Sequence, residues 1–498
     1  MAVGALDART RLAITLYLKN PKLRRPAPGS AADLARLAKP MTRRELARQR
    51  RAEFAPAVAA IRRFARLSGL TVRKIDCARR SIVLIGSAQR LADSFGTSMR
   101  VYDDGKTRFH ARSGPLSVPR AIAPWIRAVL GLDERPGMRP LAGEADGDGL
   151  WPTKVAALYG IPLDRDGAGQ CVGIIALGGG YLPSDLAAAA AGMGRPVPQV
   201  IERSVGGATN QPLTGGAADE EIALDMQVVA ALVPAARIVV YFAPNSIAGL
   251  AEALHEAVHD NANRPQVLSI CWGSAEKFWH DDVRDAAQAA LEDAVRLKVT
   301  VTVAAGDFLA SGGLSDGAAH VFFPASSPYV LACGGTTVAL TDGRIINETV
   351  WKEGITGTGG GISDVFPVPD YQSAIALPPS VNDGRRRRGI PDVAGAAAQR
   401  PGCRIMLDGA VTVKDGTSAV APLWAALITM LNAQRGSPIG LINPALYASP
   451  SLCRMITEGD NRVDGKGYDA GPGWNACAGL GVPNGADILM QLAGSPTV

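Results

Sequence analysis

Cysteine and aromatic residues are sparse in this chain. Its seven cysteines are odd in number and no two have CxxC spacing, so neither a zinc site nor a disulfide framework is indicated. Aromatic residues make up 5% of the 498 residues, and the many arginines are scattered without an aromatic platform or a reader motif. Nucleic acid is therefore not an expected partner.

The sequence also has no long hydrophobic run. No stretch is long and apolar enough to span a bilayer, so a membrane partner is not expected. The first ten residues lack the basic-then-apolar order of a signal peptide, so the sequence alone does not show export.

Charge is distributed unevenly along the chain. Residues 1–150 hold 29 Lys and Arg against 13 Asp and Glu, whereas the remainder holds 23 against 33. Two solvated surfaces of opposite sign would explain this asymmetry. The alternative is a basic domain that docks on an acidic one, because complementary fields orient association.

The pattern of the first part predicts a small α+β domain. Residues 43–67 have helical periodicity, residues 70–75 and 81–85 alternate like strands, and residues 88–95 are again helical. This order suggests a ferredoxin-like arrangement. We therefore divide the chain into an N-terminal extension (1–34), a ferredoxin-like domain (35–134), a linker rich in Gly, Pro and acids (135–150) and a large domain (151–498).

The large domain alternates apolar strands with helices. Near-continuous apolar runs joined by helices predict a parallel sheet covered on both faces. In such sheets the sites lie at the carboxyl ends of the strands.

The strongest chemical signal is the string Gly416-Thr-Ser-Ala-Val-Ala-Pro422, which is followed by an apolar helix. A serine at a helix start is close to backbone N–H groups that favour developing negative charge, which suits Ser418 as a nucleophile. An ordinary N-cap serine is the plain alternative. The tripeptide alone is weak evidence, because Gly96-Thr97-Ser98 repeats it without a following helix.

Acidic residues, rather than histidines, offer the base that a serine nucleophile needs. None of the five histidines stands in a motif that suggests a triad. Glu221 and Asp225 are four residues apart, so they share one face of a helix whose later residues are core-forming. Two close carboxyls that share a proton can act as a base and its orienter. Asp307 ends the apolar run 299–306, where a turn or N-cap role is the plain alternative.

These residues resemble the sedolisin family, in its kumamolisin-like subgroup. The matching strings are Glu221-Ile-Ala-Leu-Asp225, Ala305-Gly-Asp307, Gly416-Thr-Ser-Ala-Val-Ala-Pro422 and Gly471-Pro-Gly-Trp474. The resemblance implies a subtilisin-like domain with helices on both faces of a parallel sheet, preceded by a ferredoxin-like prodomain. It also implies a secreted serine-type endopeptidase that is made as a self-processing zymogen. Ser418 would then be the nucleophile, Glu221 the base, Asp225 its orienter and Asp307 the oxyanion stabiliser.

The resemblance also implies a calcium position and a substrate groove. The calcium position falls on Met455, Ile456, Gly471, Gly473 and Asn475, but Met455 and Asn475 stand where aspartates are expected. Because a hard cation needs anionic oxygen, we expect no calcium and a fold that survives chelation; the alternative is that Glu458, Asp460 or Asp469 supplies the missing carboxylate. Trp272 and Gly273 are expected to edge the groove, and Phe322 to line the primary specificity pocket.

The expected function is therefore acid-activated cleavage of protein or peptide substrates, with the prodomain as a partner in cis. Asp307 must be protonated to donate to an oxyanion while Glu221 must be ionised, and free carboxyls titrate near about 4. Cleavage in the 135–150 linker would activate the enzyme, and low pH would loosen the charged interface. The alternatives are a catalytically inactive binding protein, a non-enzymatic interaction protein and a lipase-type hydrolase. Val420 argues against the last, because Gly-x-Ser-x-Gly needs glycine there.

Overall fold

The computed structural model describes residues 2–23, 25–103, 105, 108–145, 147–214 and 216–494. Asp146, in the predicted linker, lies outside the described residues. In the part of the chain that is described, no helix has the length and apolar character needed to cross a membrane.

The N-terminal domain is built on a four-stranded antiparallel sheet. In spatial order its strands are Thr71–Asp76, Ser81–Ser87, Arg11–Leu18 and Ile126–Leu130. The helices of this part are Ala31–Leu37, Arg43–Glu53, Ala55–Leu67 and Ala88–Phe95. The βαββαβ order and this strand arrangement are those of a ferredoxin-like fold. A second antiparallel sheet joins Ala2–Ala5, Ser98–Asp103 and Arg108–Ser113.

Two sequence predictions for this domain differ from the structure. Residues 1–34 were predicted to be an extension, but Arg11–Leu18 is an inner strand of the four-stranded sheet. Its alternating Ile14, Leu16 and Leu18 are fully buried, which is the period-2 pattern of a strand. The predicted helix over 43–67 is two helices that meet at Phe54, because Pro56 begins a new first turn.

The large domain has a central sheet of eight strands that is parallel except at one edge. Seven of them follow the order Val200–Ser204, Arg237–Ala243, Cys171–Leu177, Val267–Ile270, Thr300–Ala304, Leu331–Thr341 and Arg344–Val350, with Arg344–Val350 antiparallel to its neighbour. Val393–Ala396 also pairs with Leu331–Thr341, in parallel. The shorter strands of the domain are Trp272–Ala275, Phe322–Phe323, Lys352–Glu353, Thr356–Gly357, Gly361–Ile362, Gly389–Ile390, Cys403–Leu407, Ala410–Asp415, Cys453–Arg454 and Val482–Pro483.

Helices cover both faces of this sheet, as predicted for a subtilisin-like fold. One face packs on Ala217–Leu232 and Val420–Arg435, and the other on Ile247–His259 and Asp281–Arg296. The remaining helices are Pro152–Leu158, Pro183–Gly192, Asn443–Ala448 and Gly485–Ala493. Along Cys171–Leu177 every residue is buried, and successive side chains alternate between the two cores.

Candidate active site

Ser418 lies where the polypeptide enters the helix Val420–Arg435. A short 3-10 turn, Thr417–Ala419, precedes the helix, and Ser418 is fully buried within it. Among the described residues its Oγ has no hydrogen-bond partner. A buried hydroxyl without a partner carries a free-energy cost, which is typical of a group kept for chemistry.

Glu221 and Asp225 lie side by side on the helix Ala217–Leu232. Both are fully buried, and a carboxylate oxygen of each lies within 4.8 Å of the other and of Cys271 Sγ. Cys271 donates to Asp225 Oδ1 at 2.8 Å, and the backbone N–H of Leu141 donates to Glu221 Oε2. Their remaining oxygens, Glu221 Oε1 and Asp225 Oδ2, have no hydrogen-bond partner in the described chain. The i,i+4 spacing on a buried helix therefore produces the predicted carboxyl pair.

Burial raises the pKa values of this pair. The pKa of Glu221 lies well above its ordinary value because of desolvation and the nearby Asp225 carboxyl, and the Leu141 amide offsets part of this rise. Desolvation raises the pKa of Asp225 to about 8, against the Cys271 hydrogen bond, which lowers it. Two interacting carboxyls titrate as a unit, so near neutral pH the pair shares at least one proton.

Asp307 follows the strand Thr300–Ala304, and its carboxyl lies against Thr417, the residue before Ser418. Its Oδ1 accepts hydrogen bonds from the Thr417 backbone N–H at 2.9 Å and from Thr417 Oγ1 at 2.7 Å. Burial raises the pKa of Asp307 to about 8, although both Thr417 hydrogen bonds lower it. Asp307 is therefore protonated through the acidic range, and its Oδ2 can donate a hydrogen bond.

The predicted linker passes directly over these residues. Arg139–Pro140 pairs antiparallel with Trp272–Ala275, and Gly143–Glu144 pairs antiparallel with Ala410–Asp415. Leu141 and Ala142, between the two pairings, are thus stretched across the site as an added strand. Extended peptides bind to exposed sheet edges in the same way.

Glycine at position 416 makes this crossing possible. Gly416 has φ of +114°, and a side chain there would collide with the Leu141 carbonyl oxygen and approach Asp307 Oδ2 to 2.7 Å. The Leu141 carbonyl therefore lies at the start of the turn that contains Ser418, on the side of Asp307.

Comparisons with known proteins agree with this geometry. Residues 2–135 match the family model "Pro-kumamolisin, activation domain". Kumamolisin from Bacillus sp. (strain MN-32) is 45% identical over 456 residues, which cover 87% of this chain and 82% of that protein. The chain belongs to the sedolisin family. Sedolisin from Pseudomonas sp. (strain 101) is 30% identical over 434 residues, covering 80% of this chain and 72% of the relative.

The solved structures give the same result. Pseudomonas sedolisin, described as a serine-carboxyl proteinase complexed with pseudo-iodotyrostatin, superposes with a TM-score of 0.61 at 28% identity. The superposition covers 70% of this chain and 99% of that one. The chain is thus a serine-carboxyl peptidase with its own activation domain, as predicted, and that domain begins near residue 2 instead of residue 35.

In the present chain, the three residues that were predicted to form the substrate groove differ in where their side chains lie. Gly273 pairs with Arg139 of the linker, so its backbone edges the groove. The Trp272 backbone pairs with Pro140, but its side chain is fully buried in the core below the sheet. Phe322 packs over Gly273 and Gly306 and, with Met138 and Arg139 of the linker, lines a cavity of about 480 Å³.

The residues at the family's calcium position do not fit a cation. Asn475 Nδ2 donates to the carbonyl oxygens of Ile456 at 2.9 Å and Gly471 at 3.2 Å. The Gly473 N–H donates to Met455 Sδ at 3.2 Å, and Met455 is about half exposed. A cation needs those carbonyls and an anionic ligand. Here an amide nitrogen bonds two of them, and neither side chain supplies a charge.

Sequence reasoning missed two residues that contact the Glu221–Asp225 carboxyl pair. The sequence analysis assigned no role to Cys271, yet its thiol donates to Asp225. Leu141 was placed only within a linker, although its amide donates to Glu221 and its carbonyl lies against Gly416. The position of Cys271 just after a buried strand could have indicated the first. No local signal marks Leu141.

Proposed function

We propose that the chain is the zymogen of an acid-acting endopeptidase that cleaves its own linker between Leu141 and Ala142. The observation that carries this proposal is the pairing of the linker with both edges of the groove, which spans Leu141-Ala142 across the catalytic residues. On this proposal residues 2 to about 135 are the prodomain, 135–150 the linker and 151 onward the peptidase. Extracellular action stays a prediction.

The geometry supports the following roles. In the chains in which Glu221 is ionised, Ser418 Oγ attacks the Leu141 carbonyl carbon while Glu221 accepts the serine proton through its free Oε1. Asp225 stabilises the protonated Glu221, which then donates that proton to the Ala142 nitrogen as the peptide bond breaks. Protonated Asp307 donates to the developing oxyanion, which needs a donor that is already in place. Water then hydrolyses the acyl-enzyme with Glu221 again as the base.

Calcium has no step in this proposal. Because Asn475 bonds the carbonyls that a cation would need, we propose that the peptidase folds without the ion.

The test is a gel time course after a shift from neutral pH to about pH 4. The wild-type chain should lose its first 141 residues, and N-terminal sequencing of the large fragment should begin at Ala142. Ser418→Ala should not be cut. Ser98→Ala is the matched control, because it changes the same Gly-Thr-Ser tripeptide in the prodomain and should process normally. A rate independent of protein concentration would show that the cut is intramolecular.

Other outcomes would decide against parts of the proposal. Cleavage that starts elsewhere would mean that the linker is not bound as a substrate. If the wild type stays intact and cuts no added peptide, a catalytically inactive binding protein becomes the better hypothesis.

A further inference from the structure

The carboxyls of Glu221 and Asp225 form a buried cluster with the thiol of Cys271. Cys271 Sγ lies 2.8 Å from Asp225 Oδ1 and 3.6 Å from the Ser418 carbonyl oxygen, and Cys271 is fully buried. The sulfur and one oxygen each of Glu221 and Asp225 all lie within 4.8 Å of one another. Three atoms at this spacing can converge on one ion.

Several polar atoms in and beside this cluster have no hydrogen-bond partner in the described part of the chain. Glu221 Oε1, Asp225 Oδ2 and Ser418 Oγ are buried, and none has a hydrogen-bond partner within the described residues. These atoms belong to side chains that already flank the thiol. A ligand that accepts electron pairs from several of them at once would remove the cost of leaving them unsatisfied.

We propose that Cys271, Asp225 and Glu221 form a binding site for a thiophilic divalent cation, Zn²⁺ or Cd²⁺, which inhibits the peptidase reversibly. Thiolate and carboxylate are both zinc ligands, and Ser418 Oγ or water is placed to complete a tetrahedral set. The sulfur selects against Ca²⁺ and Mg²⁺, which prefer oxygen. Binding releases the Cys271 thiol proton and the proton shared by the carboxyls to solvent.

Inhibition follows from the atoms that the cation uses. Glu221 cannot accept the Ser418 proton while its oxygen is a metal ligand. This consequence rests on the proposed function, whereas metal binding itself does not. In the full chain Leu141 covers the site, so equilibrium must be reached by long incubation.

The binding test uses the full-length chain at neutral pH with Cd²⁺ as the probe. Equilibrium dialysis should show one tight cadmium per chain, with the ultraviolet absorption of a cadmium–thiolate bond. Cys271→Ser should weaken that site by at least about 100-fold, since even outer-shell partners are worth 10- to 100-fold. Cys77→Ser is the matched control: Cys77 is partly exposed and far along the chain, and its loss should leave the tight site intact.

A second variant keeps the test decisive if Cys271→Ser folds poorly. Asp225→Asn should also weaken the site while keeping the thiolate absorption. A tight cadmium site of equal affinity in wild type and Cys271→Ser, or the absence of thiolate absorption from the wild type, would overturn the inference.

The activity test uses acid-processed enzyme assayed with Zn²⁺. Each variant is compared with its own metal-free rate, and the wild type should be inhibited at concentrations at least about 100-fold below those needed for Cys271→Ser. Chelation should restore the wild-type rate. Equal inhibition of both would overturn the inference, whereas a chain that binds Cd²⁺ through Cys271 but cuts no peptide would count against the proposed function alone.

Discussion

At the scale of single residues, burial gives the acids of this site their chemical states. Asp307 follows a central strand and hydrogen-bonds the turn that contains Ser418, and desolvation there raises its pKa to about 8. The same carboxyl on the surface would titrate near about 4 and would be an anion at neutral pH. In the proposed mechanism an anion beside the Leu141 carbonyl would repel the oxyanion, so burial would make Asp307 usable as a donor.

The alkaline limit of activity should therefore depend on Asp307. As pH rises through the pKa of Asp307, this residue loses the proton that it donates, and kcat/KM should fall. Water that enters after linker release reduces the desolvation of Asp307, so this alkaline limit should lie below pH 8. Asp307→Ala should lower kcat about 100- to 1000-fold. Asp307→Asn keeps a donor that does not titrate, so it should retain more activity and lose this limb of the pH profile. An unchanged limb in Asp307→Asn would assign it to another group, such as the Glu221–Asp225 pair.

At the scale of elements, the loop that contains Asn475 shows how one side chain can replace an ion. Asn475 Oδ1 accepts from the backbone N–H groups of Cys477 at 3.2 Å and Ala478 at 3.0 Å, while its Nδ2 bonds the Ile456 and Gly471 carbonyls. Its amide thus serves both acceptors and donors of the loop. A carboxylate could serve only the donors.

We expect chelation to leave the melting temperature of the wild type unchanged, and calcium addition to have no effect. Asn475→Asp loses both Nδ2 hydrogen bonds and should be less stable by about 1–3 kcal/mol. The double variant Met455→Asp/Asn475→Asp should recover stability when calcium is added, because two carboxylates then join the loop carbonyls. Scanning calorimetry with and without EDTA measures each effect. A large fall in the wild-type melting temperature with EDTA would refute the expectation.

At the scale of the whole molecule, the basic N-terminal domain and the acidic large domain meet at an interface of ion pairs. Among the described residues, several ion pairs join the N-terminal domain to the large domain. In every one of them the arginine belongs to the N-terminal domain and the carboxylate belongs to the large domain. The pairs are Arg25–Glu292, Arg36–Glu292, Arg80–Glu292, Arg50–Asp293, Arg80–Asp293, Arg79–Glu256 and Arg127–Asp285. The docking alternative of the sequence analysis is thus the one that the structure shows.

The groups at the centre of this interface respond to acid in a definite order. Burial would raise the pKa of Asp293, but Arg50, Arg80 and His259 outweigh it and hold that pKa well below its ordinary value. Its contribution to docking is therefore present above about pH 4 and is lost only as pH falls further. Desolvation lowers the pKa values of His255 and His259, so in the docked state both bind a proton less readily than a free imidazole does. Their exposure and proton uptake favour separation once pH falls below about 6.5.

Histidines, before carboxyls, should therefore start prodomain release. His255 stacks on Tyr17 of the prodomain with ring centroids 4.5 Å apart, and His259 lies against Arg50 and Asp293. His255→Gln and His259→Gln should each move the pH of half-maximal processing downward, and the double variant further, because each removes up to one proton taken up on separation. His280→Gln, an exposed histidine, is the control and should process as the wild type does. A midpoint that does not move would leave the carboxyls as the switch.

Local patterns in the sequence were enough to predict a parallel sheet covered by helices and to mark the four proposed catalytic residues as candidates, whereas their roles came from the family resemblance. Glu221 and Asp225 share a face because of helical spacing, Asp307 ends an apolar strand, and Ser418 begins an apolar helix; each signal lies within a few residues. The inner strand Arg11–Leu18 was missed, because eight alternating residues without a turn signal do not show which strands they pair with.

The remaining features were decided by tertiary structure alone. Leu141 reaches Glu221 across 80 positions, and Asn475 bonds Ile456 from 19 positions away. Cys271 meets Asp225 from 46 positions away, since the strand before Cys271 and the helix that carries Asp225 pack together. Such contacts follow from how sheet, helices and linker pack, which no local pattern specifies. The sequence by itself determined which residues are candidates for the chemistry, and the tertiary structure decided that the linker crosses them and which groups surround their carboxyls.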